Sequence, residues 1–161
     1  MPVWVYGYAP LDGRDELANA AQSLYRSFID AGADIVVGAY PEKVQRVEAY
    51  NGRLIVYSVG SFISDVNGPE LQRSFGLSIT ATIPVSQSTT LWARLDCKKY
   101  KDDCIAKAAE QGLYKTKPTY EFDVIASDST AGSVTKLADI DWQKDMVRRL
   151  DWDNVVNKLT P

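Results

Sequence analysis

"IDAGADIVVGAYPEKVQRVEAYNGRLIVYSVGSFISD", residues 29–65, is the stretch whose reading decides the fold. Within it "ADIVVG" is short and almost wholly apolar, the pattern of a strand buried on both faces. Gly32, just before that strand, suits the left-handed position that ends a helix. Further on, "VEAYNGRLIVYS" holds two strand-like runs around Asn51-Gly52. Both turn residues tolerate positive φ, so the pair is a strong hairpin signal. The stretch therefore reads as helix end, buried strand, loop and hairpin.

Toward the N-terminus, "VWVYGY" reads as a strand of β-branched and aromatic residues. Asp15 and Glu16 suit a helix N-terminus. After them Leu17, Ala21, Leu24, Tyr25, Phe28 and Ile29 recur at helical spacing and define one apolar face. Strand, helix and strand make a β-α-β unit, which crosses over right-handed to give parallel neighbours; the hairpin makes the sheet mixed. Toward the C-terminus, Phe75, Leu77, Ile79, Ala81 and Ile83 alternate with small polar residues, as in a half-buried strand. "TTLWARLD", residues 89–96, reads as a further strand antiparallel to it. Residues 102–112 suit a short helix, "TYEFDVIAS" a strand, and residues 137–159 one or two closing helices. The expectation is one α/β domain over residues 1–161.

Composition narrows the function. With 45% hydrophobic and 24% charged residues the chain is globular. A net charge of −3 argues against a nucleic-acid or anionic-membrane surface. The basic run Lys98, Lys99, Lys101 is balanced at once by Asp102 and Asp103. No segment approaches the roughly 18 uninterrupted apolar residues of a membrane span, and "MPVWVYGYAPLDGRDE" lacks the pattern of a secretory signal. Cys97 and Cys104, with six residues between them, fit neither a zinc site nor a C-x-x-C redox motif. They leave two states open: free thiols, or a disulfide worth about 2–3 kcal/mol in an oxidising compartment.

Residues 24–65, "LYRSFIDAGADIVVGAYPEKVQRVEAYNGRLIVYSVGSFISD", resemble the bacterial capsule-synthesis, poly-γ-glutamate or CapA-like, family. Its fold is similar to that of calcineurin-type metallophosphoesterases. That pattern runs I-D-A-G-A-D-x-V-x-G-H-x-P-H, then V-Q-x-x-E, a short hairpin, and Y-S-L-G-N-F. Ile29 to Asp34, Gly38, Pro41, Val44, Gln45, Glu48, Tyr57, Ser58, Gly60 and Phe62 fit it. The resemblance implies half of a metallophosphoesterase-like sandwich, matching the C-terminal portion of the family domain. It also implies work in the synthesis or export of an anionic cell-surface polymer. The partners implied are that polymer or the capsule machinery, and the setting is extracytoplasmic or at the cell envelope.

The departures fall on the chemistry. The block G-H-x-P-H is Gly38-Ala39-Tyr40-Pro41-Glu42 here, the Asn of G-N-F is Ser61, and a preceding family histidine corresponds to the stretch at Tyr6-Gly7. The chain has no histidine at all. A two-metal hydrolase needs several N and O donors converging to hold its cations and activate water. One carboxylate, Glu42, is not a site, and an exposed loop carboxylate is the preferred reading of it. The expectation is a non-catalytic domain without a metal or other cofactor. Tyr40, Glu42, Ser61 and Asp65 are the candidate ligand-binding residues of its degenerate loop. The alternative is the C-terminal fragment of a metal-dependent hydrolase whose remaining ligands lie upstream, and self-association through an open sheet edge is a third reading.

Other candidates reduce to ordinary roles. Asp12 and Asp65 would serve an acid–base pair only if they met, and loop aspartates commonly satisfy nearby amides. Ser58 and Ser61 lack the histidine a serine nucleophile needs. Trp4, Trp92, Trp142 and Trp152 are expected in the core rather than in a sugar cleft. Tyr40 is the aromatic retained as a ligand contact.

Overall fold

The structure, a computed structural model, describes residues 3–5, 15–38, 43–61, 73–82, 85, 90, 99–111, 118–128, 136–137 and 140–160. It is a mixed α/β fold with two sheets. The chain divides into two compact units, one formed by residues 1–78 with 122–160, the other by residues 79–121.

The first unit is built on a four-stranded sheet of order β1-β2-β4-β3. Its strands are β1 (Val3–Val5), β2 (Ile35–Gly38), β3 (Val47–Tyr50) and β4 (Arg53–Val56). β1 and β4 flank β2, both parallel to it, with Val5 opposite Gly38 and Val37 opposite Val56. β3 runs antiparallel to β4. Helix α1 (Asp15–Asp30) joins β1 to β2, completing the β-α-β unit that the sequence predicts. All four residues of β2 are buried, as a strand between two parallel neighbours requires.

Tyr25 and Ile29 of α1 pack with Val36, Ile55 and Tyr57 in one buried cluster, with Phe28 and Tyr50 against it. Leu24, expected on the same face, is 48% exposed. At about 100° per residue the stripe centres on Tyr25 and Ile29, so Leu24 falls on its flank. The helix ends in a Schellman motif: the Gly32 amide donates to the Ile29 carbonyl and the Ala33 amide to the Phe28 carbonyl, each at 2.9 Å. Gly32 has φ +98°. The β3–β4 hairpin turns at Asn51 (φ 49°) and Gly52 (φ 70°), the two positive values of a type I′ turn.

A second sheet has the order β5-β6-β7, with β5 Arg73–Thr82, β6 Thr119–Asp128 and β7 Lys136–Leu137. The Ser74 and Ser127 hydroxyls share a hydrogen bond of 2.7 Å, which removes the cost of burying both. In the second unit, helix α2 (Lys101–Glu110) carries Cys104, which is buried and disulfide-bonded; Cys97 lies outside the described residues. Most of residues 89–96, expected as a strand, also lie outside them, and Thr90 is helical.

Helices α3 (Ile140–Arg149) and α4 (Trp152–Val156) close the first unit. Asp151 between them takes a left-handed conformation, φ 50°. Gln143 acts as a surrogate strand partner for β6: its Oε1 accepts from the Ala126 amide at 2.7 Å and its Nε2 donates to the Val124 carbonyl at 2.6 Å. Trp152 and Val155 are buried, α4 packs on β3, and the Thr160 amide donates to the Gly52 carbonyl of the hairpin turn at 3.0 Å. Among the described residues no helix is long and apolar enough to cross a membrane.

Candidate functional site

Three parallel strands leave the first sheet at one edge, where β1 ends at Val5, β2 at Gly38 and β4 at Val56. Ligands of open α/β sheets bind outside this carboxyl edge, because the connecting loops converge there. Gly38 fixes how β2 leaves it. A Cβ built on Gly38 would lie 2.1 Å from the Tyr57 carbonyl oxygen and 2.6 Å from the Tyr25 hydroxyl. Only a residue without a side chain lets β2 pass that close to the end of β4.

Beyond residues 39–42 the chain is tied back to the hairpin at residues 44–46. Val44 forms an antiparallel bridge with Val59, the Gln45 amide donates to the Ser58 carbonyl at 3.1 Å, and the Tyr57 amide donates to the Arg46 carbonyl at 3.2 Å. The segment 44–46 therefore continues the hairpin ladder beside residues 57–59. Ser58 is fully buried, and its Oγ accepts from the Gly60 amide at 3.1 Å. Gly60 has φ +79°, and a Cβ there would meet the Arg73 carbonyl oxygen at 2.9 Å. Ser58 thus holds the turn after β4 rather than facing a substrate.

Of the residues expected to contact a ligand, Ser61 lies half-buried directly after this turn. Tyr40, Glu42 and Asp65 lie outside the described residues, as do Ala39, Pro41, Tyr6 and Asp12. Chain connectivity attaches residues 39–42 to the carboxyl edge of β2 and Ser61 to that of β4. Among the described residues no group of three or more His, Cys, Asp and Glu side chains converges.

Beside this edge is a polar constellation of which the family pattern marks Glu48 and Tyr57. Glu48 on β3 receives Arg26 from α1, through Nε at 3.0 Å and through NH2, and the Tyr57 hydroxyl at 2.5 Å. Tyr57 stacks on Tyr25 with ring centroids 5.1 Å apart. The Gln22 amide, turned with its oxygen toward the guanidinium groups, accepts from Arg46 at 3.0 Å and Arg26 at 2.9 Å. Partial burial pushes the Glu48 carboxyl up, but the hydrogen bonds from Arg26 and Tyr57 outweigh it and hold it below the usual carboxylate range. Burial, then the Glu48 hydrogen bond, drives the Tyr57 phenol well above its ordinary value. Burial alone raises Tyr25. Tyr57 is therefore a fixed donor and Glu48 a fixed anion, the opposite of groups poised to exchange protons near neutrality. The constellation clamps α1 to the hairpin and so positions the carboxyl edge. Besides the motif positions Glu48 and Tyr57, its sequence signal is the i, i+4 spacing of Gln22 and Arg26, which puts both on one side of α1.

Residues 12–66 match the family model described as bacterial capsule synthesis protein PGA_cap. The chain is 48% identical over 44 residues to the PGA biosynthesis protein CapA of Bacillus subtilis (strain 168), covering 27% of this chain and 12% of that protein. It is 41% identical over 44 residues to the capsule biosynthesis protein CapA of Bacillus anthracis, covering 27% of this chain and 11% of that one. An uncharacterised protein, y4sH, of Sinorhizobium fredii (strain NBRC 101917 / NGR234) is 40% identical over 60 residues, 37% of this chain and 13% of its own length. The matched segment is thus a small part of each relative. It holds α1, β2, the hairpin and the turn after β4, the elements that build the carboxyl edge, and over this segment the chain is similar to CapA-like bacterial capsule synthesis proteins.

Proposed function

We propose that this chain is a non-catalytic, metal-free CapA-like domain that acts in the synthesis or export of an anionic cell-surface polymer. The observation that carries this reading is the residue set at the carboxyl edge. The scaffold that positions the loop is intact: Gly38 in close contact with Tyr57, the Schellman cap, the Asn51-Gly52 hairpin and the Ser58–Gly60 turn. The loop itself carries Ala39 and Glu42 where the family pattern has its two histidines, and the chain has none to substitute. Alanine offers no donor, and a lone carboxylate does not hold two cations and a water in register.

Scaffold retained without ligands fits a module that binds rather than hydrolyses. Tyr40, Glu42, Ser61 and Asp65 are the side chains this reading assigns to the ligand. The test is hydrolysis of a phosphodiester chromogenic substrate by the purified chain with Mn²⁺, Zn²⁺ or Fe²⁺ added. No turnover above the metal-only blank is expected; turnover that depends on cation and is lost with Glu42→Gln would overturn the reading.

A further inference from the structure

We propose that Asn51-Gly52, at the tip of the β3–β4 hairpin, is a site of spontaneous deamidation, and that the product unlatches the hairpin from α1. Asn51 is exposed, so water reaches its carboxamide. Gly52 follows it with no side chain to hinder the approach of its own backbone nitrogen. The Asn51 Nδ2 donates to Asp30 Oδ1 at 3.1 Å, and the Tyr50 hydroxyl donates to Asp30 Oδ2 at 3.3 Å. Asp30 is the last residue of α1, so two side chains of the hairpin are tied to the helix end through one carboxylate. This latch stands beside the Glu48 clamp: the Arg26 guanidinium that reaches Glu48 also lies 4.9 Å from the Tyr50 ring centroid.

The step balances with water alone as co-reactant. The Gly52 nitrogen bonds to Asn51 Cγ, the Cγ–Nδ2 bond breaks, and Nδ2 leaves as ammonia with the Gly52 amide proton. A cyclic imide then joins the two residues. Water opens it: attack at Cγ gives aspartate, and attack at the main-chain carbonyl carbon gives isoaspartate, whose backbone runs through Cβ and Cγ. Nothing is oxidised or reduced.

The turn decides when this happens. Asn51 has φ 49°, and left-handed backbone turns the following nitrogen away from the residue's own Cβ. The imide requires the two on the same side of the Cα–C bond. The Asp30 hydrogen bond also holds the carboxamide in place. The Thr160 amide, donating to the Gly52 carbonyl at 3.0 Å, seats residue 160 against the turn, where a Cβ at Gly52 would lie 2.0 Å from the Thr160 Oγ1. Reaction therefore passes through a tip that has opened locally, and the product keeps it open. Aspartate at position 51 puts an acceptor where Nδ2 donated, facing a second carboxylate. Isoaspartate adds an atom to a two-residue turn whose length sets the strand register. The change is one-way. It rests on no property of the loop at residues 39–42 and stands whether or not the domain is catalytic.

The test is peptide mapping by mass spectrometry of the chain aged intact at mildly alkaline pH, with isoaspartate located by an isoaspartyl methyltransferase. Mapping separates residue 51 from Asn67-Gly68, the chain's other Asn-Gly pair. Replacement of the amide NH2 by OH at residue 51 is expected in the aged native chain, as a mixture of aspartate and isoaspartate, and faster in urea. Asp30→Ala should speed it about fivefold in the folded chain, because losing one hydrogen bond raises the open population. Asn51→Gln should show none over the same period. Asn51→Asp should lower the thermal midpoint, and adding Asp30→Asn, which restores a donor opposite the new carboxylate, should recover it. Should Asp30→Ala fail to fold, the wild-type ageing series and this exchanged pair decide. Residue 51 unchanged after ageing that converts the urea-unfolded chain, equal rates folded and unfolded, or a wild-type midpoint for Asn51→Asp would each overturn the assignment.

Discussion

Glu48 shows how one half-buried carboxylate organises the surface around it. It draws in Arg26 from α1 and Tyr57 from the end of β4, so helix, hairpin and the turn toward Ser61 share one anchor. Arg26 is 36% exposed, which screens the pair, so Glu48→Gln should cost only about 1 kcal/mol in urea denaturation at neutral pH. The pH dependence has a definite sign. Glu48 is held below its unfolded pKa, so its contribution is present above about pH 4.3 and is lost as pH falls through the lower folded value. The stability gap between wild type and Glu48→Gln should stay constant near neutrality and close in acid; a gap that widens in acid contradicts the clamp. In the sequence Glu48 was visible as a motif position, but its partners are 22 and 9 residues away. No helical or strand period links such positions.

Elements with a local physical signature were legible from the residues alone. Gly32 and the helical spacing before it placed the end of α1, Asn51-Gly52 placed the hairpin, and the apolar run "ADIVVG" placed the central strand. Each signal is carried by neighbours in sequence, so backbone preference and burial agree. What failed was finer. Leu24 matched the apolar period yet lies on the flank of the stripe, because spacing gives a face and not its centre. Thr90 is helical where alternation suggested a strand. The role of Gln143 was unreadable, since a glutamine on a helix carries no sign that it will complete a strand elsewhere. Its two bonds to β6 give a specific expectation: Gln143→Ala leaves the Ala126 amide and Val124 carbonyl without their partner and should destabilise by about 1–3 kcal/mol. Native-state hydrogen exchange should show the loss concentrated at the Ala126 amide. Unchanged protection there would contradict the bridging role.

The whole chain combines two compact units, and each raises its own question. In residues 79–121, Cys104 is disulfide-bonded, and Cys97, the chain's other cysteine, is the proposed partner. Reduction should lower stability by about 2–3 kcal/mol through the freed loop, seen as a lower denaturation midpoint in dithiothreitol that Cys104→Ser reproduces. An unchanged midpoint would contradict a structural disulfide. In the other unit the capsule-synthesis segment retains its scaffold while its loop lacks histidine, and that combination is the centre of the proposed function. Thermal unfolding of the purified chain with and without saturating Mn²⁺, Zn²⁺ or Fe²⁺ tests it most directly. A cation present at about 100 times its dissociation constant would add about 2.7 kcal/mol of stability, several degrees in Tm for a chain of this size. The domain proposed here should show no rise with any of the three; a rise of several degrees with one of them would contradict it.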